Sequence, residues 1–126
     1  MSDKTVSQEL MEVFYGETQS LIDEMRKDLL ILGKGRVSHI LSRLFRCVHI
    51  IKSSSGAVGF DDLREIAQAL EKIFKAAKDE KSKINADVIT LLSESIEACQ
   101  KLLNKEEVAG YKELLERLNK HSLLIS

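Results

Sequence analysis

The sequence has no proline, no tryptophan, only two cysteines and 5% aromatic residues in its 126 positions. Without proline, helix interiors are unbroken and loops lack their usual punctuation, so helices joined by short turns are expected. Cys47 and Cys99 stand far apart, and neither belongs to a CxxC pair. Both read as reduced thiols of a cytoplasmic protein. The longest apolar run is Leu29-Leu30-Ile31-Leu32, far short of the ~20 residues of a membrane span. The N-terminus carries no apolar stretch of the secretory kind.

An excess of one charge sign is missing too. The 19 basic and 20 acidic residues leave a net charge of −1, which argues against nucleic-acid binding driven by bulk positive charge. There is no glycine-rich phosphate loop, HExxH, GxSxG or GxGxxG, so no cofactor and no ATP site are expected. Cys47 and His49 are two apart and point in different directions on a helix, and paired Glu-x-x-His motifs are absent, so no metal site is expected.

What is present is a globular composition, 44% hydrophobic and 31% charged, in a length that suits one domain spanning residues 1–126. Apolar residues at three/four spacing predict five helices. The first runs over Val6–Leu32, with Leu10, Val13, Phe14, Leu21, Ile22, Met25 and Leu29 as its stripe, and ends at Gly33-Lys34-Gly35-Arg36. The second covers Val37–Ala57, with Val37, Leu41, Leu44, Val48 and Ile51 inward. The third covers Asp62–Asp79, capped by Asp61, and buries Leu63, Ile66, Leu70, Ile73, Phe74 and Ala77. After a polar loop, Asn85 caps a fourth helix running to Leu103, with Val88, Leu91, Leu92, Ile96, Cys99 and Leu103 inward. A fifth, Lys105–Asn119, carries Val108, Tyr111, Leu114, Leu115 and Leu118. Short connections make neighbours antiparallel, so the expected architecture is an all-α, antiparallel up-down four-helix bundle with an additional C-terminal helix. The helix faces leave no large apolar stripe that demands a dimer, so a monomer is expected.

One stretch does not suit a plain bundle helix. Ser53, Ser54 and Ser55 follow one another near the end of the second helix, although serine competes for backbone hydrogen bonds and is a middling helix former. With Val48 at the core centre, Leu44, Leu41, Val37 and Ser55 fall within about 40° of it. His49 lies about 100° away, on the flank. Lys52 at i+3, Ser53 at i+4 and Gly56 at i+7 share its face, so the imidazole has a cation beside it and small residues that leave it open to another protein. On the third helix, Glu71 is about 100° from Leu70 in the same sense. If both flanks face the shared groove, Glu71 reaches the His49 ring. A carboxylate accepting one ring N–H fixes the tautomer and frees the other nitrogen as a nucleophile. Lys52 then offsets an incoming negative group. These are the parts of phosphoryl transfer to nitrogen.

The pattern His49-x-x-Lys52-Ser53-Ser54-Ser55-x-x-x-Gly59-Phe60, followed by Leu63 and Leu70-Glu71, resembles the histidine phosphotransfer (HPt) domain. Within that family it is most similar to the N-terminal phosphoacceptor domains of chemotaxis kinases of the CheA type. The likeness covers residues 7–119, and its specific motif covers 49–71. The resemblance implies His49 as the phosphoacceptor, Lys52 as the family's lysine, and Glu71 as the glutamate that hydrogen-bonds the histidine. It implies a cytoplasmic carrier in a two-component phosphorelay, with a histidine kinase catalytic domain and a response-regulator receiver domain as partners. Two positions depart from the CheA pattern. Ser53 stands where glycine is usual, though many HPt domains carry serine there. Gln68 stands where a second histidine is frequent, which removes the basis for a four-member hydrogen-bond network.

Phe45, Ser53, Gly56 and Gln68 are the expected access and docking surface around His49, with Phe45 also counted among core aromatics beside Phe60. His39 and His121 are expected to be ordinary histidines. Two other readings stand beside the carrier. One is an HPt-like adaptor bundle that carries no phosphate. The other is the N-terminal HPt portion of a CheA-like kinase.

Overall fold

A computed structural model describes residues 7–33, 38–79 and 84–124. The expected helix start at Val6, the core position Val37, the break at 34–36 and most of the loop at 80–83 lie outside the described residues. Five helices follow one another: α1 (Gln8–Leu32), α2 (Ser38–Val58), α3 (Asp61–Lys78), α4 (Ala86–Leu103) and α5 (Tyr111–Leu124). α1 packs on α2 and α4, and α3 packs on the same two helices, so α1 and α3 are diagonal partners in a four-membered ring. α5 adds to the outside of α3 and α4. Contacts across the pairs run in opposite senses along the chain: Asp28 with Arg43 and Glu24 with Cys47 join α1 to α2. Gln19 with Gln100 and Arg26 with Glu97 join α1 to α4. This is the expected all-α, antiparallel up-down bundle with a further C-terminal helix.

α1 and α4 start where a side chain satisfies a free N–H group. The Ser7 hydroxyl accepts from the Leu10 amide at 3.1 Å, and Asn85 Oδ1 accepts from the Val88 amide at 2.9 Å. Asp61 behaves differently from its expected capping role. Phe60 is the N-cap of α3 and makes no side-chain cap bond, while Asp61 is the first helical residue. The reason is the tightness of the α2–α3 turn. Gly59 takes φ +83°, and the Phe60 amide returns to Ser55 O and the Gly59 amide to Gly56 O. This paired closure leaves no residue between the turn and the helix, and Asp61 and Asp62 act only through their charge at the positive helix end.

The core is continuous and apolar, with Ile22, Met25, Leu44, Val48, Ile66, Leu70, Ile73, Phe74 and Leu92 at zero exposure. The inward residues expected for the third and fourth helices are all buried. Two corrections concern α1. Leu10 and Val13 are 52% and 53% exposed, while Thr18 and Asp28 are buried. The buried stripe of α1 runs through Phe14, Thr18, Ile22, Met25, Leu29 and Leu32, and Met11 packs against the same core. At about 100° per residue Val13 points well away from that stripe and Leu10 lies at its edge.

The fifth helix also differs from expectation, beginning at Tyr111 rather than Lys105. α4 closes with Glu106 N–H to Lys101 O and Lys105 N–H to Leu102 O, and Lys105 sits at φ +62°. A residue in the left-handed region cannot begin a helix. Gly110, at φ +74°, then turns the chain into α5. The Tyr111 hydroxyl donates to the Glu65 carboxylate at 2.8 Å and lies 3.0 Å from Asp62 O, which ties α5 to the start of α3. No described helix is long and apolar enough to cross a membrane.

Candidate functional site

α2 and α3 form the most extensive helix pair of the bundle. The serine run explains part of this closeness. Ser55 is fully buried, and its hydroxyl donates to Ile51 O at 2.5 Å, so it enters the core without an unpaired polar group. Ser53, two residues earlier, faces solvent. The same three-residue run thus supplies a small buried contact and an open rim.

Above that contact the flanks of α2 and α3 share one groove. His49 Nδ1 lies 2.5 Å from Glu71 Oε2. Lys52 Nζ donates to Glu71 Oε1 at 2.6 Å. Glu71 therefore accepts with both oxygens from two side chains one helical turn apart. Its own side chain is only 14% exposed, while that of His49 is 55% exposed. Burial pushes the Glu71 carboxyl upward, but the hydrogen bonds from Lys52 and His49 outweigh it and hold the group below the ordinary carboxylate range.

The geometry decides the tautomer. An ionised carboxylate only accepts, so Nδ1 carries the ring proton. In the neutral imidazole, Nε2 then holds the lone pair. A side chain more than half exposed, with one nitrogen tied down and the other unprotonated, is an accessible nucleophile of fixed orientation.

Phe45 lies one turn earlier on α2, with its ring stacked on the imidazole at a centroid distance of 6.2 Å and an interplanar angle of 17°. Lys78 Nζ stands 4.8 Å from the centroid of the Phe45 ring. Gly56 is exposed, and its missing side chain leaves room for Arg64, whose Cδ would be 3.1 Å from a Cβ at that position. Gln68 is exposed and makes no hydrogen bond to His49 among the described residues. His39 is exposed on α2, and His121 sits on α5 with Nε2 buried and unpartnered.

Of the residues singled out in the sequence, His49 and Lys52 are thus joined through Glu71, and Phe45 stacks on His49. Ser53 and Gly56 continue the same face of α2, and Gln68 lies beside Glu71 on α3. Lys78, which the sequence offers as a same-helix partner of Glu71, stands over Phe45 instead, and Arg64 was missed. They stand seven positions after and before Glu71, a spacing that keeps them on its helix face. Among the described residues, no group of three or more His, Cys, Asp or Glu side chains could hold a metal ion.

The curated relatives of this chain point the same way as the motif. The chain is 30% identical over 98 residues to the chemotaxis protein CheA of Borreliella burgdorferi, covering 77% of this chain and 11% of that protein. It is 30% identical over 103 residues to CheA of Rhizobium meliloti, covering 81% and 14%. It is 29% identical over 97 residues to the sensor histidine kinase CheAY of Helicobacter pylori, covering 76% and 12%. The chain therefore spans only about a tenth to a seventh of the length of these relatives. Among solved structures, the fold is similar to that of the phosphorylated P1 domain of CheA3, crystallised in complex with CheY6 from R. sphaeroides. The TM-score is 0.81 at 19% identity, with 95% of this chain and all of that one covered. A profile of the Hpt domain family matches residues 9–121, and the chain belongs to that family.

Proposed function

We propose that residues 1–126 form one monomeric cytoplasmic phosphocarrier domain in which His49 takes a phosphoryl group from a histidine kinase catalytic domain or a phosphorylated receiver. His49 then passes it to the aspartate of a response-regulator receiver domain. The observation that carries this reading is the single hydrogen bond from His49 Nδ1 to Glu71 on a half-exposed imidazole. The complex of the structurally similar P1 domain with CheY6 supports a receiver as partner, and the names of the relatives support a chemotaxis pathway.

In the forward step the Nε2 lone pair attacks phosphorus in line. The Nε2–P bond forms, and the donor's P–O bond breaks with its electron pair leaving on the donor oxygen. The ring becomes positive as it loses its lone pair, and Glu71 stabilises that charge through the Nδ1 proton. Lys52 keeps two further N–H donors beyond the one given to Glu71, and these serve the phosphoryl oxygens. In the reverse step an aspartate oxygen of the receiver attacks phosphorus, the Nε2–P bond breaks and the lone pair returns to Nε2. ATP is bound by the kinase domain and not by this bundle.

The test is transfer from radiolabelled ATP by an active histidine-kinase core, comparing the wild-type chain with His49→Gln. An acid-labile, base-stable label that the variant lacks is the expected result. A folded wild-type protein that takes no label from several kinases or phospho-receivers would favour the adaptor reading instead.

A further inference from the structure

Among the described residues, Arg64 at the α2–α3 contact has neither a carboxylate nor an aromatic ring as partner. Lys52 is bound to Glu71, Lys75 Nζ stands 3.8 Å from Asp79, and Lys78 is seated over the Phe45 ring. Arg64 is half-buried and makes no ion pair among the described residues. Its stem instead lies across Gly56, where a Cβ would stand 3.1 Å from its Cδ. Glycine is a poor helix former, and Gly56 stands where the Arg64 stem from α3 lies against α2.

The position of this guanidinium relative to His49 has a consequence for any partner. Gly56 is seven residues beyond His49, which is about 10 Å along the helix. That rise separates the stretch of α2 under the Arg64 stem from the reacting ring. Yet a transient interface of about 600 Å² per partner is a disc of about 14 Å radius. A domain that brings its aspartate onto Nε2 centres such a disc on His49, and Arg64 lies inside it. A guanidinium covered by a partner without a compensating acceptor is strongly unfavourable, so the partner must answer it.

We propose that Arg64, held flat by Gly56, is a docking and specificity residue that pairs with a carboxylate on the receiver's face. This inference rests on the phosphocarrier reading. The receiver it fits carries an acidic side chain about 10 Å from its phosphorylatable aspartate. Charge pairs at an interface rim act on encounter and on salt dependence more than on the chemical step.

The experiment uses wild type, Arg64→Lys and Arg64→Glu, each labelled to completion at His49 by excess kinase and freed from it. Each is then mixed with a CheY-type receiver at increasing concentration and at two salt concentrations. For Arg64→Glu the KM for the receiver should rise at least about tenfold with kcat little changed, and Arg64→Lys should recover most of the loss. The wild-type rate should fall with salt, and the Arg64→Glu rate should not. An unchanged KM in Arg64→Glu, or a loss confined to kcat, overturns the assignment while leaving the carrier reading intact. A wild-type chain that takes no label at His49 overturns the carrier reading, and this proposal with it.

Discussion

Glu71 Oε2 lies 2.5 Å from His49 Nδ1, although 22 residues separate the two in sequence. The same carboxylate holds Lys52 through its other oxygen at 2.6 Å. Two links of a long chain are thereby fixed to one acceptor. The imidazole is oriented by a neighbouring helix and not by its own. The reactive nitrogen is left at the surface because the buried partner takes the other one.

Glu71→Gln should separate orientation from fold. The amide keeps the shape of the side chain but can offer an N–H to the ring, which places the imidazole proton on the wrong nitrogen. Partners that orient a reactive histidine are typically worth about 10–100-fold. The initial rate of His49 phosphorylation should fall by that order. Nitrogen NMR of the ring should show a rise in the Nε2–H tautomer, with helicity by circular dichroism unchanged. A variant phosphorylated at the wild-type rate would remove Glu71 from its positioning role.

The same pair sets a pH dependence. The folded Glu71 carboxyl titrates below its ordinary value of 4.5, despite burial, because Lys52 and His49 bond its ionised form. A group with a depressed folded pKa contributes its full stabilisation above the unfolded value. That stabilisation is lost as pH falls through the folded value. The Tm difference between wild type and Glu71→Gln should therefore be largest above the ordinary value of 4.5 and should shrink as pH falls below it through the folded value. A gap that widened on acidification would contradict the sign.

Away from the site, Asp28 and Arg43 join α1 to α2 through a two-bond pair in which the aspartate is 1% exposed and the arginine 43%. Removing the arginine strands a buried carboxylate. Arg43→Ala should lower the midpoint of urea unfolding, by less than the breaking of a fully buried pair because the guanidinium is partly solvated. The double variant Asp28→Leu/Arg43→Ala should recover part of that loss. If the single and double variants were equally destabilised, the penalty would not come from the stranded charge.

Both cysteines should be inert in the folded state. Burial pushes the Cys47 thiol up to about 12, and the Glu24 carboxylate that accepts its S–H at 3.2 Å adds to the effect. Burial likewise pushes Cys99 up to about 12. Reaction with an aromatic disulfide reagent at pH 8 should be negligible for the native protein and rapid after denaturation, since only the thiolate reacts. Fast modification of one native thiol would show that its helix opens locally.

Much of the fold was legible in the residues themselves, because a helix repeats every 3.6 positions and its buried face can be counted along the chain. That is why the inward residues of α3 and α4, the Asn85 cap and the flank position of His49 all followed from spacing. The candidate phosphoacceptor was legible for the same local reason, with Lys52, Ser53 and Gly56 one or two turns away on the same helix. The misreadings fall where the determinant is not local. Leu10 and Val13 lie off the stripe of α1 that packing against α2 and α4 selects. Lys105 and Val108 look helical, yet the closure of α4 puts Lys105 in the left-handed region. Sequence alone placed Glu71 on the correct flank of α3. Whether that flank faces the groove or turns away depends on the handedness of the bundle, which side-chain packing sets. The same is true of Arg64 across Gly56 and of Lys78 over Phe45. Periodicity determined which face of each helix every residue occupies. Only the packing of α2 against α3 decided which faces meet, because that choice is made by contacts between residues far apart in the chain.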